Sequence, residues 1–351
     1  MSNFKALLNY QIPSDLLLKL LEIYKLIGKY ENLENQLENS KDSLNNKRLE
    51  KDTCLLIKYL NLNLSDQRIK LLISKDSTPR TKEESSAVTI KKILKAIVNN
   101  AYEMNASINS IDILDFLKGI YGSKVKINSN DFLIHGNKKR SIRYEFNTLL
   151  DEFEDYYTYQ KYEPISLSCI TIMEMYNIKP YSEFNNLSIL LTLYYLLLRC
   201  KIISFKYVSF IELYLAKEEQ LLSAIANGSI NYDQGTLFFT NFISLILDLI
   251  KKSYEQLDNL LVNNKFEKRA HKSDNIEQTI IYDLPDLFSK EDIIRIYPDV
   301  SLSTIMRTLT KLNKLNYIIP LGKGRSAKWK KIIDPNDINF ILGVSNDENK
   351  D

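Results

Sequence analysis

A mostly α-helical fold with a small β-hairpin follows from three observations on this 351-residue chain. Only 9 glycines and 8 prolines are present, too few for turn-dense β-sandwiches or glycine-rich phosphate loops. Apolar residues recur over most of the length at i, i+3 and i+4, the repeat of helices with one buried face. Alternation of apolar and polar residues is confined to short segments after Gly122 and near the C-terminal end. With 44% apolar and 26% charged residues the composition is that of a globular protein, and the length allows two or three domains.

Ser14 and Asp15 can cap a first helix with apolar positions Leu16, Leu17, Leu20, Leu21 and Tyr24. Residues 29–51 are polar, with Leu33, Leu37 and Leu44 as a sparse stripe, and read as an exposed helix or a short antiparallel pair. The segment Ser74–Ser86 reads as a surface loop, and a new helix is expected to start near Thr89 with Ile90, Ile93, Leu94 and Ile97 on one face. Another begins at Ser110 or Asp112 and carries Ile113, Leu114, Phe116, Leu117 and Ile120. Val125 and Ile127 then alternate with Lys124, Lys126 and Asn128, a strand signal, with Phe132, Leu133 and Ile134 as its hairpin partner across Ser129-Asn130. Further helices are expected at Ile142–Tyr156, Ser166–Tyr176, Leu187–Cys200, Val208–Asn227 and Asp233–Val262, the last with Phe238, Phe242, Leu245, Ile246, Leu249 and Leu260 on one side. These stripes read as core packing. The domain reading is an N-terminal helical region 1–84, a helical domain 85–265, a polar linker 266–283, a compact module 284–343 and a frayed acidic tail 344–351.

Charge is uneven. Pro285–Lys331 holds ten Lys/Arg against four Asp/Glu, a net of +6 where the whole chain carries +3, so an anionic partner is expected there. Cys54, Cys169 and Cys200 are too scattered for a disulfide framework or a metal site, and His135 and His271 lack ligand-like neighbours, so no metal is expected. No secretory signal is legible, and the longest apolar runs, Leu187–Leu198 and Phe242–Ile250, fall short of the ~20 residues of a membrane span. The expectation is a cytoplasmic protein without a membrane partner.

The stretch Lys179-Pro180-Tyr181-Ser182-Glu183-Phe184-Asn185-Asn186-Leu187 precedes an apolar helix. It resembles the signature loop of the Fic (Fido) family, His-Pro-Phe-x-(Asp/Glu)-Gly-Asn-Gly-Arg-x-x-Arg, with most of the chemistry removed. Pro180, Tyr181, Glu183 and Asn185 stand at the family's proline, phenylalanine, acid and asparagine. Lys179 replaces the histidine, Phe184 and Asn186 the glycines, and Leu187 and Leu190 the arginines. The order of elements agrees: a hairpin candidate precedes the loop, and Ile203–Ser209 and Asn231-Tyr232-Asp233 with Phe238-Phe239 follow it, so the resemblance spans about 85–265. It implies a Fic-like helical core. In the family the histidine is the general base for AMP transfer to a protein hydroxyl, the acid holds Mg²⁺, and the glycine-flanked backbone and the arginines hold phosphates. A lysine is protonated at neutral pH and makes a poor base, and leucines cannot balance phosphate charge. Lys179, Glu183 and Asn185 are thus degenerate motif positions, more consistent with no catalysis and no cofactor. Glu183 and Asn185 also suit a helix start. The competing reading is a divergent AMP transferase using ATP and Mg²⁺ with those three residues.

Residues 284–331 resemble a winged helix-turn-helix domain. Ser289 and Asp292 suggest a capped helix broken by Pro298-Asp299. A second helix starts at Ser301 or Ser303, with Ile305, Leu309 and Leu312 inward and Ser303, Thr304, Arg307, Thr308 and Lys311 outward, as on a recognition helix. Tyr317–Ile319 and Ala327–Lys330 flank a Gly322-x-Gly324 turn as a wing with Lys323, Arg325 and Lys328 placed for phosphates. DNA is the expected partner, and a transcriptional regulator would fit. A protein partner or homodimer is the alternative.

Overall fold

The computed structural model describes residues 4, 12–37, 40–75, 77–128, 131–134, 138–269, 276–277, 279–298, 300–322 and 328–332. The chain divides into two compact units, Met1–Asp258 and Asn259–Asp351. Among the described residues no helix is long and apolar enough to cross a membrane.

The first unit opens with α1 (Ser14–Lys29), which buries Leu16, Leu20 and Ile23. Leu17, Leu21 and Tyr24, expected inward with Leu16 and Leu20, lie about 100° further round the helix and are exposed. The polar segment that follows is not an exposed helix. It folds as α2 (Leu33–Leu37) and α3 (Lys41–Tyr59), and Leu33, Leu37 and Leu44 are all buried. Its apolar stripe is sparse because α3 also buries Arg48, Asp52 and Thr53.

After α4 (Asp66–Ser74), α5 (Lys82–Val98) starts seven residues ahead of Thr89 and shortens the expected loop. Four hydrogen bonds set that start. The Thr81 hydroxyl accepts from the Glu84 amide at 3.2 Å, and the Glu84 carboxylate receives the Arg68 fork at 2.6 and 2.8 Å and the Arg80 amide at 2.6 Å. The Arg68 hydrogen bonds, then the Arg80 amide, hold the Glu84 carboxyl down at about 2. Because its folded value lies below the unfolded one, its contribution is complete above about pH 5 and is lost as pH falls toward 2. Glu84→Gln is therefore expected to flatten the fall of Tm between pH 5 and 2 in a thermal-melt series, and an unchanged slope would remove this carboxylate as its cause.

A π-helical turn (Asn99–Glu103) leads to α6 (Ser110–Tyr121), opened by a capping box of Asn109 and Asp112. The hairpin lies one strand later than expected: β1 (Asp131–Ile134) pairs antiparallel with β2 (Lys138–Ser141). The Val125–Asn128 segment pairs elsewhere, with the loop described below. Then come α7 (Ile142–Thr158), α8 (Pro164–Ile178) and α9 (Asn185–Arg199). From Leu187 to Arg199 every residue of α9 is buried, which is why its sequence is apolar without a stripe. The single helix expected over Val208–Asn227 is broken after α10 (Ser204–Tyr207) into α11 (Phe210–Leu215) and α12 (Glu218–Gly228). Ser209 caps α11 through the Glu212 amide at 3.0 Å, and Lys217 closes the turn after it by donating to the Tyr214 carbonyl at 2.9 Å. The last long helix, α13 (Thr240–Arg269), begins past Phe238, so that residue is exposed rather than on its inner face.

In the second unit β3 (Leu287–Ser289), α14 (Lys290–Ile296), α15 (Leu302–Lys314), β4 (Ile318–Pro320) and β5 (Lys328–Lys331) follow in order. The sheet is antiparallel, ordered β3-β5-β4, with Trp329 opposite both Phe288 and Pro320. Its core gathers Phe288, Ile293, Ile305, Leu309, Leu312 and Ile318 together with Ile276, Ile280 and Ile281. Those last three fall inside the stretch expected to be a linker. Their polar neighbours in sequence concealed them.

Candidate functional site

The 179–187 loop joins α8 to α9. Lys179 ends α8 in the left-handed region (φ 49°), its amide donates to the Met175 carbonyl at 3.0 Å, and its side chain is exposed. Pro180 and Tyr181 turn inward. The Tyr181 hydroxyl donates to the Ser110 carbonyl at 3.2 Å, and its ring meets Phe146 edge-on with centroids 5.7 Å apart. Asn185 then clamps the loop: its Oδ1 accepts from the Tyr181 amide at 3.1 Å and its Nδ2 donates to the Tyr181 carbonyl at 2.8 Å. Both ends of that amide are thus taken up by the loop's own backbone. Asn185 stands at the start of α9, as its residue type suggests, but as the first helical residue; the cap position is Phe184, which makes no side-chain cap bond.

Phe184 keeps a left-handed backbone (φ 62°) at a position where the resemblance puts glycine. That conformation costs an L-residue roughly 1–2 kcal/mol. The Phe184 ring lies flat on Tyr121 with centroids 3.4 Å apart and planes 8° from parallel. Burial pushes the Tyr121 phenol up to about 12. Ser182, Glu183 and Asn186 are exposed, whereas Leu187 and Leu190 are buried in the core. Of the three degenerate positions brought together here, Lys179 and Glu183 face solvent and only Asn185 is tied in.

The loop's outer edge is also occupied. Asn128 donates to the Pro180 carbonyl at 2.7 Å, Ser182 donates to the Lys126 carbonyl at 3.0 Å, and the Lys126 amide donates to the Ser182 hydroxyl at 3.3 Å. Ile127 and Tyr181 face each other as an antiparallel bridge. The strand expected at Val125–Asn128 does not form: the segment makes only this isolated bridge, to a partner more than fifty residues away in sequence.

At the opposite end of the α8–α9 pair is a cleft of about 870 Å³. Tyr24, Tyr157, Glu154, Glu163 and Arg199 line it. Arg199 forks onto Glu154 and stacks on the Tyr157 ring (4.2 Å), while Tyr24 donates to Glu163 at 2.6 Å. Glu163 also caps α8, accepting from the Ile165 and Ser166 amides at 2.8 and 2.6 Å. No motif marked this cleft in the sequence.

In the second unit Ser301 caps α15, accepting from the Thr304 amide at 3.3 Å, and Ile305, Leu309 and Leu312 face inward. Ser303 and Arg307 are exposed, and Thr304 is half-buried with its hydroxyl 2.9 Å from that of Ser301. Thr308, expected on the outward face, is buried and donates to the Thr304 carbonyl at 3.1 Å. It follows Arg307 by 100° and so falls on the core side. Lys311 is outward but held by Glu277 at 2.7 and 2.9 Å. Lys328 is exposed at the start of β5, and Lys323 and Arg325 lie outside the described residues. Among the described residues no cluster of three or more His, Cys, Asp or Glu could hold a metal.

No protein-family model matches the sequence, and no curated protein matches it. Solved structures do. The chain superposes on a Fic family protein from Desulfovibrio desulfuricans with a TM-score of 0.54 at 15% identity, over 93% of this chain and 98% of that one. A Fic domain containing signaling protein from Bacteroides thetaiotaomicron (TM-score 0.44, 15% identity, 68% and 95% covered) and Fic-1 from C. elegans (0.46, 16%, 70% and 75%) match less fully. The first superposition shows that this mostly helical chain has the Fic fold.

Proposed function

We propose that this protein is a Fic-fold binding protein without AMP-transfer activity, and that its second unit is a winged helix-turn-helix that contacts duplex DNA. The observation that carries the DNA reading is α15, whose Ile305, Leu309 and Leu312 are buried while Ser303, Arg307 and Lys311 stand on the outward face. The order strand, helix, helix, strand, strand, with β5 between β3 and β4, suits such a domain. Lys328 and Lys330 are exposed on β5 and would meet phosphates.

The loop does not fit a nucleotide with Mg²⁺. The Asn185 amide is spent on Tyr181, the edge is paired with residues 126–128, and the positions of the phosphate-binding arginines are buried leucines.

Gel retardation of a labelled duplex across a salt series tests the reading. The full chain is expected to retard the duplex at low salt, with affinity falling linearly in log salt. Arg307→Ala with Lys328→Ala is expected to weaken binding about tenfold and to lower the salt slope by roughly 0.9 per lost phosphate contact. Glu277→Gln, which removes the carboxylate beside Lys311, is expected to tighten binding several-fold. Absence of retardation at low salt would overturn the DNA reading, and transfer of label from ATP with Mg²⁺ to protein would overturn the non-catalytic one.

A further inference from the structure

We propose that α15 selects thymine in the major groove, with Met306 and its neighbours one turn to either side, Leu302 and Thr310, packing on the thymine 5-methyl group. This rests on the DNA reading above and adds which base the helix favours. α15 gives Ile305, Leu309 and Leu312 to the core, yet Leu302 and Met306 remain 55 and 43% exposed. Thr310 is exposed too, and its hydroxyl donates to the Met306 carbonyl at 2.8 Å. What it can offer a ligand is a methyl group with an acceptor oxygen beside it.

The helix surface is divided into two ridges. Leu302, Met306 and Thr310 follow at i, i+4 and i+8, each about 40° round and ~6 Å along the axis from the last, as an apolar ridge. Ser303, Arg307 and Lys311 run beside it, one residue later, as a polar and basic one. Glu277 holds Lys311, while Arg307 and Lys314 are exposed on the same side. From Val300 to Ile333 the sequence contains no Asp or Glu. Apolar side chains set against cations, with no acid among them, fit a partner that is anionic at its edges and offers small apolar groups between. Duplex DNA is such a partner.

Base edges narrow the choice. In the major groove the thymine 5-methyl is the apolar group that the bases present, whereas adenine, guanine and cytosine offer donors and acceptors there. A methionine has no donor and only a weak acceptor, so it cannot satisfy those polar edges, and covering them leaves them unpaired at a cost. Over thymine it removes a methyl group from water instead, worth about fourfold in affinity. Its unbranched, polarizable chain can adjust to the position of that methyl. The basic ridge alongside suits phosphates, which hold a helix in the groove without choosing the sequence.

Gel retardation by the full chain on two synthetic duplexes tests this. One is built from A·T pairs alone, and the other is identical except that deoxyuridine replaces every thymidine, so the two differ only in the 5-methyl groups. The wild type is expected to bind the thymidine duplex at least about fourfold more tightly, with the same salt slope on both because the phosphates are unchanged. Leu302→Ser with Met306→Gln should reduce that difference to less than about twofold with an unchanged circular dichroism spectrum, since both side chains are exposed. Lys314→Ala should weaken binding to the two duplexes equally. Equal wild-type affinities would overturn the thymine reading and leave DNA binding standing. So would a difference that persists in the double variant, which would belong to duplex stiffness and not to these side chains. Absence of retardation of either duplex at low salt would overturn both readings together.

Discussion

Gly228→Ala is expected to cost the first unit about 3 kcal/mol of stability, read as a lower midpoint in urea unfolding. Gly228 ends α12, and a Cβ there would sit 2.2 Å from the Phe238 carbonyl oxygen and 2.7 Å from the Met173 methyl. The carbonyl cannot withdraw easily, because the Phe238 amide donates to the Gly228 carbonyl at 2.9 Å and closes the 229–237 segment into a loop. That loop is held to α8 by Asn177 to the Ser229 hydroxyl at 2.9 Å and by Tyr232 to Glu174 at 2.5 Å. Met173 is a flexible side chain and can yield; the backbone cannot. Adding Met173→Ala to Gly228→Ala should therefore recover only a minor part of the loss. Full recovery would mean that the carbonyl moves freely and that the glycine is not required by close approach.

Why some of this was legible in the sequence and some was not follows from the range of the contacts involved. Helix α15 was readable because its cap, Ser301, and its inward row at 305, 309 and 312 all lie within one helix length. The same holds for the Ser289–Asp292 capping box. The start of α5 was missed because Glu84 is neutralised by Arg68, sixteen residues earlier, and a polar run with such a partner looks like a loop. Lys311 looked like a DNA-facing cation because Glu277 lies thirty-four residues away.

The candidate loop shows the same limit. Its string of residues was enough to expect the fold, and the buried leucines at 187 and 190 follow from the apolar run of α9. That Asn185 folds back on Tyr181 was not legible, since an asparagine before an apolar helix is equally a cap. Nor was the pairing of 126–128 with 180–182, which depends on how α6 and the hairpin return to α8.

Removing either partner of the Arg48–Asp52 pair is expected to be the most damaging single change, roughly 3–5 kcal/mol each. Both side chains are essentially sealed from solvent, at 1 and 0% exposure, with Arg48 Nη1 3.2 Å from Asp52 Oδ2. The guanidinium also donates to the Tyr194 hydroxyl at 3.1 Å, the Lys206 carbonyl at 3.2 Å and Asn45 at 2.6 Å, and Ser209 donates to the other Asp52 oxygen. One arginine thereby ties α3 to α9, the helix that begins at the candidate loop, and to α10. Arg48→Met leaves a carboxylate in the core with the Ser209 hydroxyl as its remaining donor, and Asp52→Leu leaves a buried cation among neutral acceptors. Each orphaned charge carries its full desolvation cost. The double variant Arg48→Met with Asp52→Leu removes both charges and should lose at least about 2 kcal/mol less than the two single losses combined. Urea unfolding of the four proteins measures the difference. Losses that simply add would mean that Tyr194, Lys206 and Ser209, and not the pair itself, account for the stability of this junction.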